Sequence, residues 1–154
     1  PGAPGSGGEV VSFTTSQPIL VTWMPEESRH TSEYIDDVDW QRSISKAGER
    51  SVSRLRLKDW TFERWADLML ESRKFAESSG LLEEQARKKL LSSVQKEILI
   101  LDLQSRVNVR LCMLGVSLAI LPRRLDSPLV QGELESIADA LRAIGLGVRE
   151  TRTE

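Results

Sequence analysis

Residues 98–122 read ILILDLQSRVNVRLCMLGVSLAILP, the most apolar stretch of the chain. Ile100, Leu103, Val107, Leu111, Leu114, Leu118 and Leu121 recur every three or four residues, while Val94, Ile98 and Leu101 start a neighbouring stripe. A helix presents that period to a core. No proline interrupts the chain between Gly80 and Pro122. The spacing therefore predicts a central helix over 82–121, about 40 residues and about 60 Å long. Pro122 is its expected stop.

Two shorter helices flank it. Phe62, Trp65, Leu68, Met69 and Phe75 share one side of a helix over 58–79, which Asp59 or Thr61 caps and Gly80 ends. Downstream, Ser127-Pro128 pairs an N-cap hydroxyl with a proline at the first helical position, opening a helix over 128–144. Along it Val130, Leu134, Ile137, Leu141 and Ile144 repeat at spacings of 4, 3, 4 and 3 before Gly145. A seam of that kind packs on another helix, so these five residues are candidates for a partner interface. Glu83-Glu84 followed by Arg87-Lys88-Lys89 suits the helix dipole and reads as a solvated face.

The N-terminal third is less regular. Residues 1–8 are glycine, proline, serine, alanine and nothing larger, a flexible lead-in. Residues 9–50 read as an extended arm followed by a wrapped loop. Glu9 to Thr15 and Ile19 to Trp23 fit two short strands or one extended segment, with Phe13 and Trp23 as apolar anchors on the chain's own helices or on a partner. Asp36, Asp37 and Asp39 lack the glycine turn and closing glutamate of a calcium loop, and read as a solvated acidic face. The expected fold is mainly α: a long central helix packed with two shorter ones, and an N-terminal extended arm or short β-hairpin. Residues 51–147 form the helical domain in this reading, and 148–154 a tail.

Composition narrows the chemistry. A chain of 154 residues suits one domain with a core of its own. Its formal net charge of -2 gives no bulk field for recruiting nucleic acid. One cysteine, Cys112, and one histidine, His30, leave no basis for an intrachain disulfide, a cysteine-based metal cluster or a histidine triad within the chain. Carboxylates are plentiful, yet none lies in a run with a nucleophile, a histidine base or a glycine-rich phosphate loop. The expectation is a protein that is not an enzyme and has no small-molecule substrate. No metal site and no certain cofactor is expected either.

One string is more specific. Asn108-Val109-Arg110-Leu111-Cys112-Met113-Leu114-Gly115, closed by Pro122, resembles a membrane helix of the light-harvesting chlorophyll-binding superfamily across residues 105–122. That family places a His or Asn two residues before an Arg, then a small residue, Met and often Leu-Gly. The resemblance implies chlorophyll as a cofactor, with Asn108 as its ligand and Arg110 as the member of an ion pair to a partner helix. It also implies a thylakoid membrane location. The chain departs from the pattern at Ser105, where the family has glutamate, and at Cys112, where it has alanine. Ile98 to Leu121 as a helix would span about 36 Å, enough for a bilayer core. However, Asp102, Arg106 and Arg110 would each cost about 2.5–3.5 kcal/mol at its centre unless paired.

These readings converge on an intracellular, non-enzymatic accessory or scaffolding subunit that binds other protein subunits in a larger assembly. Under the resemblance that assembly is a photosynthetic pigment-protein complex with a membrane contact. Otherwise the protein is soluble. The alternative is a soluble, self-associating capsid-like or adaptor domain. No nucleic-acid partner is expected, because three adjacent basic residues on a helix ordinarily face water.

Overall fold

The computed structural model describes residues 15–25, 37–57, 59, 61–112 and 115–153. They run in the order β1 (Pro18–Trp23), α1 (Val38–Leu55), α2 (Trp65–Ser78), α3 (Gln85–Ile100), β2 (Val107–Leu111), β3 (Ser117–Pro122), α4 (Gln131–Ala143) and β4 (Gly147–Arg152). The strands form one antiparallel sheet in the order β2-β3-β1-β4. Non-neighbours in sequence thus sit side by side at its centre, the split β-α-β plan of ferredoxin-like sheets, with α1 and α2 added ahead of α3.

Register decides which side chains face the helices. Leu20 pairs with Ile120 and Thr22 with Leu118 across the two inner strands, and all four are buried. Period-2 alternation sends Val107, Leu118 and Ile120 to the same side. There they meet Leu90, Val94 and Ile98 of α3 and Leu134, Ile137 and Leu141 of α4 in one core. The outer strand β4 carries Arg149, Glu150 and Arg152, charges that discourage further strand pairing along that edge.

The fold is therefore mixed rather than mainly α, and the expected central helix is the main correction. α3 stops at Ile100 because Asp102 takes the left-handed conformation, φ 56°. The amide of Asp102 then bonds the Leu99 carbonyl at 3.1 Å, and that of Leu103 reaches back to Ile98 at 3.0 Å, a Schellman ending. Aspartate tolerates this geometry better than most L-residues, and its carboxylate accepts an N–H from Gln104 at 3.0 Å. Beyond the turn the chain becomes the β2–β3 hairpin, with Val107 opposite Pro122 and Leu111 opposite Leu118.

Other boundaries move for local reasons. The expected helix over 58–79 begins as α2 at Trp65, after a 3-10 turn over Phe62–Arg64. The one expected over 128–144 begins at Gln131, since the Glu133 carboxylate, not Ser127, takes up the Val130 amide at 2.9 Å. The carboxylate of Asp37 accepts the Asp39 and Trp40 amides and starts α1 inside the segment read as a wrapped loop. The part of the arm that is described is an inner strand, β1, and the expected tail is β4. Phe13, His30, Asp36, Met113, Leu114 and the lead-in 1–8 lie outside the described residues. Among those described, no helix is long and apolar enough to cross a membrane.

α1 and α2 form a hairpin fixed by charge. The Glu71 carboxylate, 5% exposed, meets Arg54 of α1 at 2.6 Å and Lys74 at 3.2 Å. The hairpin is tied to the sheet by the buried Trp65 indole N–H, which donates to the Pro122 carbonyl at 2.9 Å.

Candidate functional site

β2 is an outer strand, and α2 lies beside it with the end of α3. Between them is a cleft of about 530 Å³. Met69, Leu70 and Arg73 of α2 form one wall, and Gln95, Ile98 and Leu99 of α3 another. Val107 to Arg110 line the strand side, with Gln104 and Arg123 completing the boundary. Alternation along β2 explains the composition: Val107 turns into the core, while Asn108 and Arg110 occupy the opposite face.

Arg110 is half-buried and held by neutral acceptors. Its Nε donates to the Met69 carbonyl at 2.7 Å, Nη1 to the Val109 carbonyl at 2.7 Å and Nη2 to Asn108 Oδ1 at 3.3 Å. Arg123 donates through Nη1 to the Gln104 carbonyl at 3.2 Å. Arg73 is paired along its own helix, Nε to Glu77 Oε1 at 2.8 Å. Among the described residues, neither Arg110 nor Arg123 has a carboxylate at ion-pair distance. Burial, then repulsion from Arg73 and Arg123, pulls Arg110 below the usual guanidinium range, and Glu77 works against that shift.

Three guanidiniums lining one cleft have the chemistry to hold an oxyanion. Arginine offers a planar fork of donors that matches carboxylate and phosphate oxygens, and it keeps its charge when partly buried. An anion placed there would relieve the mutual repulsion of the three cations. The rim is apolar on two sides, because Leu70 is 48% and Leu99 63% exposed. A group matched to this lining would combine negative charge with apolar surface.

Other groups offer less. Cys112 is half-buried, and burial pushes its thiol up despite a hydrogen bond with Ser117, which disfavours the thiolate. No cluster of three His, Cys, Asp or Glu side chains able to hold a metal occurs among the described residues.

The residues singled out in the sequence scatter. Asn108 and Arg110 do come together in the cleft, but on a strand; the helix that would make Asn108 a pigment ligand is replaced by a β-hairpin. In the expected partner seam, Leu134, Ile137 and Leu141 are buried in the chain's own core, leaving Val130 and Ile144 exposed at the two ends of α4. Trp23 ends β1 with its indole against Gly147, 37% exposed and away from the cleft. Sequence reasoning missed Arg73, Arg123 and Leu99. Only the β2–β3 pairing, with the Arg123 amide on the Arg106 carbonyl at 2.8 Å, brings Arg123 to this end of the sheet.

No protein-family model, curated protein or solved structure matches this chain.

Proposed function

We propose that this protein is a non-enzymatic subunit that binds a neighbouring protein in a larger assembly, and that the cleft beside β2 receives an acidic, apolar segment of that neighbour. One observation carries the reading: Arg110 and Arg123 present charge without a described carboxylate partner, between the exposed Leu70 and Leu99. Charge complementarity selects the occupant's acidity, and the two leucines select its apolar positions. Electrostatic pairing of this kind sets specificity and association rate, while desolvated apolar contacts add affinity.

A fluorescent peptide of alternating glutamate and leucine is a suitable probe. Its anisotropy should rise saturably with the full-length protein, and the affinity should fall with added salt. Arg123→Gln should weaken it by about tenfold, the value of one charge-assisted contact. Binding that ignores salt and survives Arg123→Gln unchanged would contradict the reading.

A further inference from the structure

The charge balance of the cleft asks for more than one carboxylate. Arg73, Arg110 and Arg123 bring three positive charges, and Glu77, paired to Arg73, removes one. A monoanion would leave that excess half neutralised. A phosphate monoester carries about -1.5 to -2 near neutral pH and presents three terminal oxygens.

The donor supply is also larger than a carboxylate uses. A guanidinium has five N–H donors. Arg110 commits three nitrogens to Met69, Val109 and Asn108, which leaves one N–H on Nη1 and one on Nη2. Arg123 commits one N–H to Gln104. The donors that remain on these two residues are enough for all three oxygens of a phosphate. Among the described residues, no aromatic ring lines the cleft. A nucleotide base would have nothing on which to stack there, so a phosphate carried by a polypeptide is the better match.

Resting on the protein-binding reading above, we infer that the arginines of this cleft form a subsite for a dianionic phosphate group, carried by a phosphorylated side chain of the bound segment. Arg110, fixed by its three backbone and side-chain acceptors, is the preorganised donor. Arg123, more exposed and just past the end of β3, supplies the remaining donors. Leu70 and Leu99 then hold the flanking apolar residues.

Two glutamate–leucine peptides, identical except for a central serine or phosphoserine, test this with the full-length chain. The phosphopeptide should bind about tenfold more tightly to the unaltered protein. Arg123→Gln, an exposed position outside the core, should reduce that advantage to about twofold or less. Arg110→Gln should abolish it, with circular dichroism confirming that the variant is folded. Excess inorganic phosphate should displace the phosphopeptide, whereas acetate at equal ionic strength should not. Equal affinity for the two peptides would overturn the phosphate subsite while leaving the protein-binding reading standing. Saturable binding of inorganic phosphate without any preference for the phosphopeptide would overturn the assignment to a phosphorylated side chain. Failure of both peptides to bind would remove both readings.

Discussion

Arg54 of α1 and Glu71 of α2 meet at 2.6 Å, and the carboxylate is buried where the two helices cross. The hydrogen bond from Arg54 is the chief reason that the Glu71 carboxyl is lowered to about 2; burial opposes it, and Lys74 adds to it. A carboxyl lowered by folding stabilises the native state above its ordinary pKa, and that stabilisation is lost as pH falls toward the folded value. Stability should therefore decline between about pH 4.5 and pH 2, with Glu71 as a principal contributor. Urea unfolding across that range should show a smaller decline in Glu71→Gln, which should also cost about 1–3 kcal/mol at pH 7. An unchanged acid dependence in the variant would locate the effect elsewhere.

Asp102 supplies the left-handed residue that ends α3. Asp102→Gly should be close to neutral, because glycine takes that conformation freely. Asp102→Val should cost about 1–2 kcal/mol, since a β-branched side chain is strained there. Denaturant midpoints of the two variants make the comparison. A long helix through residues 98–121 would reverse the order, because glycine would weaken a helix interior that valine tolerates.

Gly147 lies opposite Trp23 in the β1–β4 pairing, so close that an added Cβ would run into the indole ring. Gly147→Val should push the ring off the strand and cost about 1–3 kcal/mol. The Trp23 indole N–H resonance should move in the variant, with little change at Trp65, whose N–H is bonded to Pro122.

Arg106 and Glu133 form a two-pronged pair at 2.7 and 3.0 Å, joining the entry of β2 to the first turn of α4. Each shifts the other toward its charged form, mainly through the hydrogen bond between them. A double-mutant cycle with Arg106→Ala and Glu133→Ala should give a coupling of about 1 kcal/mol or more. Simple additivity would mean that the pair does not clamp the hairpin to the helix.

Much of the helical framework was legible. Phe62 to Phe75 and Leu134 to Leu141 carry one unambiguous period, and Gly80 and Gly145 end their segments with positive φ, as glycine there predicts. Residues 98–122 were not, because leucines three or four apart also satisfy two alternating strands once a turn intervenes. Val107, Val109 and Leu111 alternate as well as they repeat, and Asp102 is a weaker punctuation mark than glycine. The cleft was half legible. Asn108 and Arg110 stand two residues apart, a spacing that a strand keeps on one face. Arg73 and Arg123 come from distant parts of the chain, and only packing of α2 beside β2 unites them with Arg110.

Occupancy of the arginine cleft can be read residue by residue in an amide NMR titration with the glutamate–leucine peptide. Saturable shifts are expected at Met69, Leu70, Leu99, Val107 to Arg110 and Arg123, with the titration moved to about tenfold higher peptide concentration in Arg123→Gln. Shifts confined to residues outside the cleft, or no saturable shift anywhere, would contradict it.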